Sequence, residues 1–297
     1  MLTIVNGSPA SDSPSIHVER TGSGPTEVLL IHGLGSRAKD FSALIAALGP
    51  NRSILAPDLR GHGESEAALP VTLGGLASDL LPLIDEGPPK VVVGFSFGAW
   101  VAMELWRMKP EAVEALVLVD PALTYGPLFE WASRGGTVQQ KVRAALKRSV
   151  DTLGLEWLGR KLLNPPVLRE RAVDRITAIY YTTDLGEMVA LMRENPLTRD
   201  LDEEDLEINA RSVMAADHDT LLAGLDLTGK PEDQERPEGS AIEPVVMFGE
   251  RSLLTGRSRA ERFASAIGGT AVGYEGGHVA HLEAPEAVAV EIERSLY

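Results

Sequence analysis

Short apolar runs alternate along the chain with stretches in which apolar positions recur every three or four residues. Glu27–His32 (EVLLIH), Arg52–Ala56 (RSILA), Lys90–Phe95 (KVVVGF) and Ala115–Val119 (ALVLV) are apolar almost throughout, as expected of strands covered on both faces. Between them, Lys39–Leu48, Thr72–Glu86 and Phe97–Met108 carry helical patterns, clearest in Leu73, Leu76, Leu80 and Leu83. Buried strands separated by helices predict βαβ crossovers and a parallel sheet. The alternation stops after Asp120. From about Pro121 to about Asp226 the pattern is mostly helical with charged faces, such as KVRAALKR, and the polar, proline-rich Gly229–Pro244 reads as a mobile surface loop. Strand and helix patterns return with Val245–Phe248, Arg257–Ile267, Thr270–Tyr274 and Pro285–Leu296. The expected fold class is α/β. A mostly parallel central sheet flanked by helices is built from residues 1–120 and 241–297, and a helical insertion occupies 121–240 with its polar loop at 229–244.

Composition narrows the function. The 297 residues are 44% hydrophobic, enough for a substantial core, and the net charge of −15 argues against nucleic-acid partners and gives no support for attraction to anionic lipid. With no cysteine, disulfides, thiolate metal sites and a cysteine nucleophile are excluded. The N-terminal residues MLTIVNGSPA lack a basic region and a long apolar run, and no stretch approaches a membrane span. A soluble, cytoplasmic protein without membrane partners is expected; its oligomeric state is not legible.

Candidate chemistry sits where predicted strands end. Gly94-Phe95-Ser96-Phe97-Gly98 joins a buried strand directly to a helix, the setting of a nucleophile elbow. Small residues two positions either side of Ser96 suit so sharp a turn. The hydroxyl would project beyond the carboxyl ends of the strands, with the helix N-terminus directing N–H groups at developing negative charge. His32-Gly33-Leu34-Gly35 follows the first buried strand. It reads either as a simple glycine turn or as the second half of an oxyanion hole, formed by the N–H groups of Leu34 and Phe97.

A serine needs an imidazole to take its proton. Six histidines compete. His17 falls in an N-terminal strand, His32 in the glycine turn, His62 in a polar loop and His218 in the insertion, while His281 turns toward the closing helix. His278 lies in the loop after the last strand and is the candidate base.

Together HGLG (32–35), DLRGHGES (58–65), GFSFG (94–98), LVLVDP (116–121) and GGHVAHLEAPE (276–286) resemble the α/β-hydrolase fold family, in particular its cap-bearing small-molecule serine hydrolases. The resemblance implies that 58–65 is a scaffold loop, with Asp58 and Arg60 partners of each other. It implies that the insertion is a cap over the pocket. It also exposes a departure. Many members carry the acid in a segment resembling GExD after the strand that follows the cap, whereas this chain has Gly249-Glu250-Arg251-Ser252. Some members place the acid one strand earlier, where Asp120 stands in LVLVDP, keeping the order serine, acid, histidine. Asp120 is the favoured acid. A reach by Glu250 and a Ser–His dyad remain open.

Phe95, Phe97 and Trp100 flank or follow Ser96, and with Gly33 they are expected to border an apolar pocket. Tyr125, Phe129, Trp131, Trp157, Tyr180, Tyr181, Met188, Met192 and Met214 populate the insertion, mostly as core, with a subset facing the crevice. The expected activity is hydrolysis of an ester-like bond in a small, mainly apolar molecule by Ser96, His278 and Asp120. No cofactor or metal is expected. Cleavage of a carbon–carbon bond in a diketone-like substrate, or ligand binding by a catalytically altered fold, are the alternatives.

Overall fold

The computed structural model describes residues 13–24, 27–85, 88, 90–124, 182–225, 227 and 234–296. Seven strands form one sheet: β1 (Val18–Thr21), β2 (Glu27–Ile31), β3 (Ser53–Pro57), β4 (Lys90–Phe95), β5 (Val113–Val119), β6 (Val245–Gly249) and β7 (Thr270–Tyr274). Their order is β1-β3-β2-β4-β5-β6-β7, parallel except for β1, which pairs antiparallel with β3. β1 is a half-exposed edge, so its sequence VERT carries no apolar run. The chain runs outward from β2 to β3 and then crosses to β4 on the other side of β2. The crevice beyond the carboxyl ends of β2 and β4 is therefore the topological switch point of the sheet, where open α/β folds bind ligands.

Alternate strand residues feed two cores. Leu29 and Ile31 pack on one face with α2 (Leu73–Ile84), α3 (Phe97–Met108) and α7 (Arg257–Ala266). Val28 and Leu30 pack on the other with α1 (Ser42–Leu48) and α9 (Pro285–Arg294). Thr72 caps α2 by accepting the Gly75 N–H at 3.0 Å, and Pro285 opens α9. The helix expected from Lys39 begins instead as a 3-10 turn, Ala38–Phe41, because the buried Asp40 draws in the Arg37 N–H and the Ser36 hydroxyl. A short α8 (Ala280–Glu283), not foreseen, precedes α9.

The segment after β5 contributes α4 (Leu185–Glu194), α5 (Glu203–Ala215) and α6 (His218–Leu225), within the expected insertion. Met188 and Met192 bury themselves against Leu206, Ala210 and Val213, and Met214 packs at the margin of this cluster. Tyr125, Phe129, Trp131, Trp157, Tyr180 and Tyr181 lie outside the described residues. Of the polar stretch 229–244, the part from 234 is described and forms no helix or strand; Trp106 Nε1 donates to Ser240 Oγ at 3.0 Å.

The loops beyond β2 and β3 are braced by buried polar groups. Asp58 and Arg60 are not partners, contrary to expectation. Asp58 accepts the N–H groups of Ala38 at 2.7 Å and Glu64 at 2.8 Å. Arg60 instead reaches α2 and forks onto Asp79, at 2.6 and 2.7 Å, because the intervening turn sends the two side chains in different directions. His62, expected in a polar loop, is buried. Its Nδ1–H donates to the Arg60 carbonyl at 3.0 Å and its Nε2 accepts the Gly35 N–H at 3.1 Å. His32 repeats the pattern, with Nδ1–H on the Gly33 carbonyl and Nε2 accepting the Leu59 N–H. His281 is buried edge-on to Phe41 and Phe95, and its Nε2 has no hydrogen-bond partner among the described residues.

Burial pushes these three imidazoles down, His32 to about 4 and His62 and His281 to about 3. All are neutral in the folded chain. Below the ordinary histidine range of about 6.5 the unfolded chain binds protons that the folded chain does not, so stability falls as pH falls. The melting temperature is expected to drop between about pH 7 and about pH 5. His281→Leu, which removes an unsatisfied buried nitrogen, is expected to flatten that decline without lowering the melting temperature at neutral pH. Thermal melts across the pH range check both; an unchanged slope in the variant would contradict the assignment.

Candidate active site

β4 hands over to α3 through one residue. Ser96 has φ 52° and ψ −114°, and its N–H still donates to the Val119 carbonyl at 2.9 Å, extending the β4–β5 ladder one step. The helix can start this abruptly only because the flanking glycines leave room. A Cβ at Gly98 would fall 2.3 Å from the Ile31 carbonyl oxygen, and one at Gly94 would fall 2.5 Å from the Gly98 carbonyl oxygen. β5 ends in the same manner. Asp120 has φ 43°, and its N–H donates to the Met247 carbonyl at 2.9 Å. Ser96 and Asp120 are the two non-glycine residues with positive φ among the described residues. Such backbone costs about 1–3 kcal/mol each and persists where the surroundings hold it.

His278, in the loop after β7, bridges them. Its Nε2 lies 2.9 Å from Ser96 Oγ and its Nδ1 lies 2.5 Å from Asp120 Oδ2. The bond to the carboxylate makes Nδ1 the protonated nitrogen and leaves Nε2 to accept the serine proton. Asp120 is fully buried, and His278 retains a little exposure. The carboxylate has further donors: the Gly249 N–H on Oδ1 at 3.2 Å and the Ser252 hydroxyl on Oδ2 at 2.6 Å. Ser252, standing at the family's usual acid position, thus donates to the carboxylate one strand away. Its part in the site was not foreseen. The signal was present in the pairing of Ser252 with Asp120, but only the β5–β6 register brings them together. Glu250 does not approach the histidine; its half-exposed carboxylate pairs with Arg257 at 2.5 Å.

The glycine turn after β2 lies against the elbow. A Cβ at Gly33 would stand 3.1 Å from Ser96 Cβ. In this turn the Gly35 N–H is taken by His62 and the Ser36 N–H by the Gly33 carbonyl. Phe97 is the first residue of α3, where N–H groups have no intrahelical acceptor. Phe95, Phe97 and Trp100, the three aromatic residues expected to border a pocket, are all buried. The Phe95 ring packs into the core against Phe41 and His281. Trp100 is 2% exposed, its ring tilted against Phe263 and its Nε1–H on the Ala122 carbonyl at 3.2 Å. The strand pleat and the helix face that buries the elbow turn both rings inward. They support the turn from beneath.

A hydroxyl bonded to a neutral imidazole, itself held by a buried carboxylate, can lose its proton while attacking an electrophilic carbon. Among the described residues no group of three or more His, Asp or Glu side chains could hold a metal ion, and no helix is long and apolar enough to cross a membrane.

Known proteins resemble the chain in sequence and in fold. Over 111 residues the chain is 47% identical to the lipase LipV of Mycobacterium tuberculosis, covering 36% of this chain and 42% of that one. Over 151 residues it is 27% identical to the pimeloyl-[acyl-carrier protein] methyl ester esterase of Pectobacterium carotovorum, covering 49% and 58%. The chain spans about half the length of these curated relatives. In fold it is similar to a hydrolase from Pseudomonas aeruginosa, with a TM-score of 0.68 at 22% identity over 97% of this chain and 96% of that one. It is also similar to a thermophilic esterase from Thermogutta terrifontis, with a TM-score of 0.65 at 21% identity over 97% and 95%. The sequence pattern of the alpha/beta hydrolase family matches residues 28–291, and the chain belongs to that family.

Proposed function

We propose that the protein is a serine hydrolase that cleaves an ester-like bond in a small, mainly apolar molecule. The observation that carries this reading is the continuous hydrogen-bond chain from Ser96 Oγ through His278 to Asp120. Ser96 Oγ attacks the substrate carbonyl while His278 Nε2 takes its proton. His278 then returns that proton to the departing oxygen, leaving an acyl group on Ser96. Water, activated by the same imidazole, releases the acid and restores the serine. Asp120 holds Nδ1–H and stabilises the imidazolium formed in each half. The N–H groups of Leu34 and Phe97 donate to the oxyanion, the former from the turn beside Ser96 and the latter from the helix N-terminus. Residues 121–240 act as a cap, and α5 and α6 from that segment pack on the turn that carries Leu34. The relatives named as a lipase and a methyl ester esterase support a carboxylic ester as substrate. The reading uses no cofactor. The ligand-binding alternative draws on the serine at position 252, and the carboxylate of Asp120 against His278 supports the hydrolase reading over it.

Treatment with a fluorophosphonate is expected to add one adduct to the wild-type protein and none to Ser96→Ala, read by intact mass. Equal labelling of the variant would overturn the assignment of the nucleophile. Asp120→Asn is expected to lower kcat on a simple ester by about 10⁴-fold, because the amide disturbs the tautomer and cannot balance the imidazolium. Ser252→Ala, which removes one donor to the carboxylate, is expected to cost about tenfold. Steady-state kinetics distinguish them; the reverse order would move the acid away from Asp120.

A further inference from the structure

The base is held at its ring by Asp120, and its backbone is held separately. Glu283, on α8, folds back so that its carboxylate takes the N–H groups on either side of His278. Gly277 N–H donates to Oε2 at 2.5 Å and Val279 N–H donates to Oε1 at 3.0 Å. The carboxylate is 7% exposed, with Arg251 at 3.5 Å as its charge partner. Gly277 is shaped to it, since a Cβ there would stand 2.8 and 2.9 Å from the two carboxylate oxygens. From the other side Tyr274 Oη donates to the Gly277 carbonyl at 2.7 Å. A single acceptor group therefore spans the residue that carries the base and fixes the direction of its Cα–Cβ bond.

We propose that Glu283 is a positioning residue for His278, its two oxygens setting the backbone from which the imidazole reaches Ser96 and Asp120. This inference rests on the Ser96–His278–Asp120 reading. Both oxygens are required. A glutamine offers one acceptor, and its amide would face an N–H donor, leaving one of the two backbone groups buried and unpaired. A residue that only stabilised α8 would change the melting temperature and leave the chemistry of the folded fraction intact. A positioning residue changes the chemical step, for which a displacement of about 1 Å costs about 100-fold.

The test uses the full chain with Glu283→Gln, and with Gly277→Ala as a second variant that keeps the carboxylate but crowds it off its seat. In each folded variant, kcat on a simple ester and the fluorophosphonate labelling rate are expected to fall by about 10- to 100-fold with KM little changed. The downfield proton resonance of His278 Nδ1–H, identified by its loss in His278→Gln, is expected to shift or broaden. Folded variants with wild-type kcat, labelling rate and resonance would overturn the proposal, whatever their melting temperatures. If the wild-type protein neither turns over esters nor reacts with the fluorophosphonate, the hydrolase reading fails, and the resonance alone decides. Perturbed in both variants, it upholds the role of Glu283; unperturbed, it removes it.

Discussion

The approach of α3 to β2 and β4 is the constraint from which the rest of the site follows. At Gly98 the helix backbone comes so near the Ile31 and His32 carbonyls that a single added carbon has no place. That contact lets a helix begin one residue after a strand, and it forces Ser96 into the left-handed region. Once the elbow is set, the sheet order brings the glycine turn after β2 alongside it at the switch point, and β5 and β6 lie next in line. Asp120 then occupies the neighbouring strand end, within reach of an imidazole that comes in from beyond β7.

A second theme is the use of buried carboxylates as acceptors for backbone N–H groups. Asp58 holds Ala38 and Glu64, Asp120 holds Gly249, and Glu283 holds Gly277 and Val279. Each ties a loop at the carboxyl edge of the sheet to another element. Charge-assisted bonds to backbone donors are shorter and stronger than neutral ones, and they constrain loops that have no ladder of their own. His32 and His62 do the complementary work, kept neutral by burial so that each Nε2 can accept a backbone proton.

Much of this was legible in the chain. The buried strands announced themselves because both faces are covered, so β2, β4 and β5 are apolar almost throughout, and Lys90–Phe95, Phe97–Met108 and Thr270–Tyr274 match their predicted bounds. The elbow was readable because a local steric demand leaves a local mark in Gly94 and Gly98. What stayed hidden depends on distant neighbours. The family resemblance implies Asp58 as the partner of Arg60, yet its partner is Asp79 on a helix. Nothing in the local pattern distinguishes His62, buried under the glycine turn, from a solvated loop histidine. The rings of Phe95 and Trp100 face inward because of the pleat and the helix phase, which nearness to Ser96 in sequence does not report.

The contacts beneath α5 and α6 also decide how freely these helices can move against the sheet. Ser212 Oγ on α5 donates to the buried Asp40 at 2.7 Å, and the Asp217 N–H ahead of α6 donates to the Gly61 carbonyl at 2.6 Å. Gly224 of α6 seats Leu34, with no room for a Cβ between them. Lifting these helices would strip a donor from a desolvated carboxylate whose acid form burial already favours, and would pull at the turn beside Ser96. α5 and α6 are therefore tied to the loops beside Ser96 and move only with them.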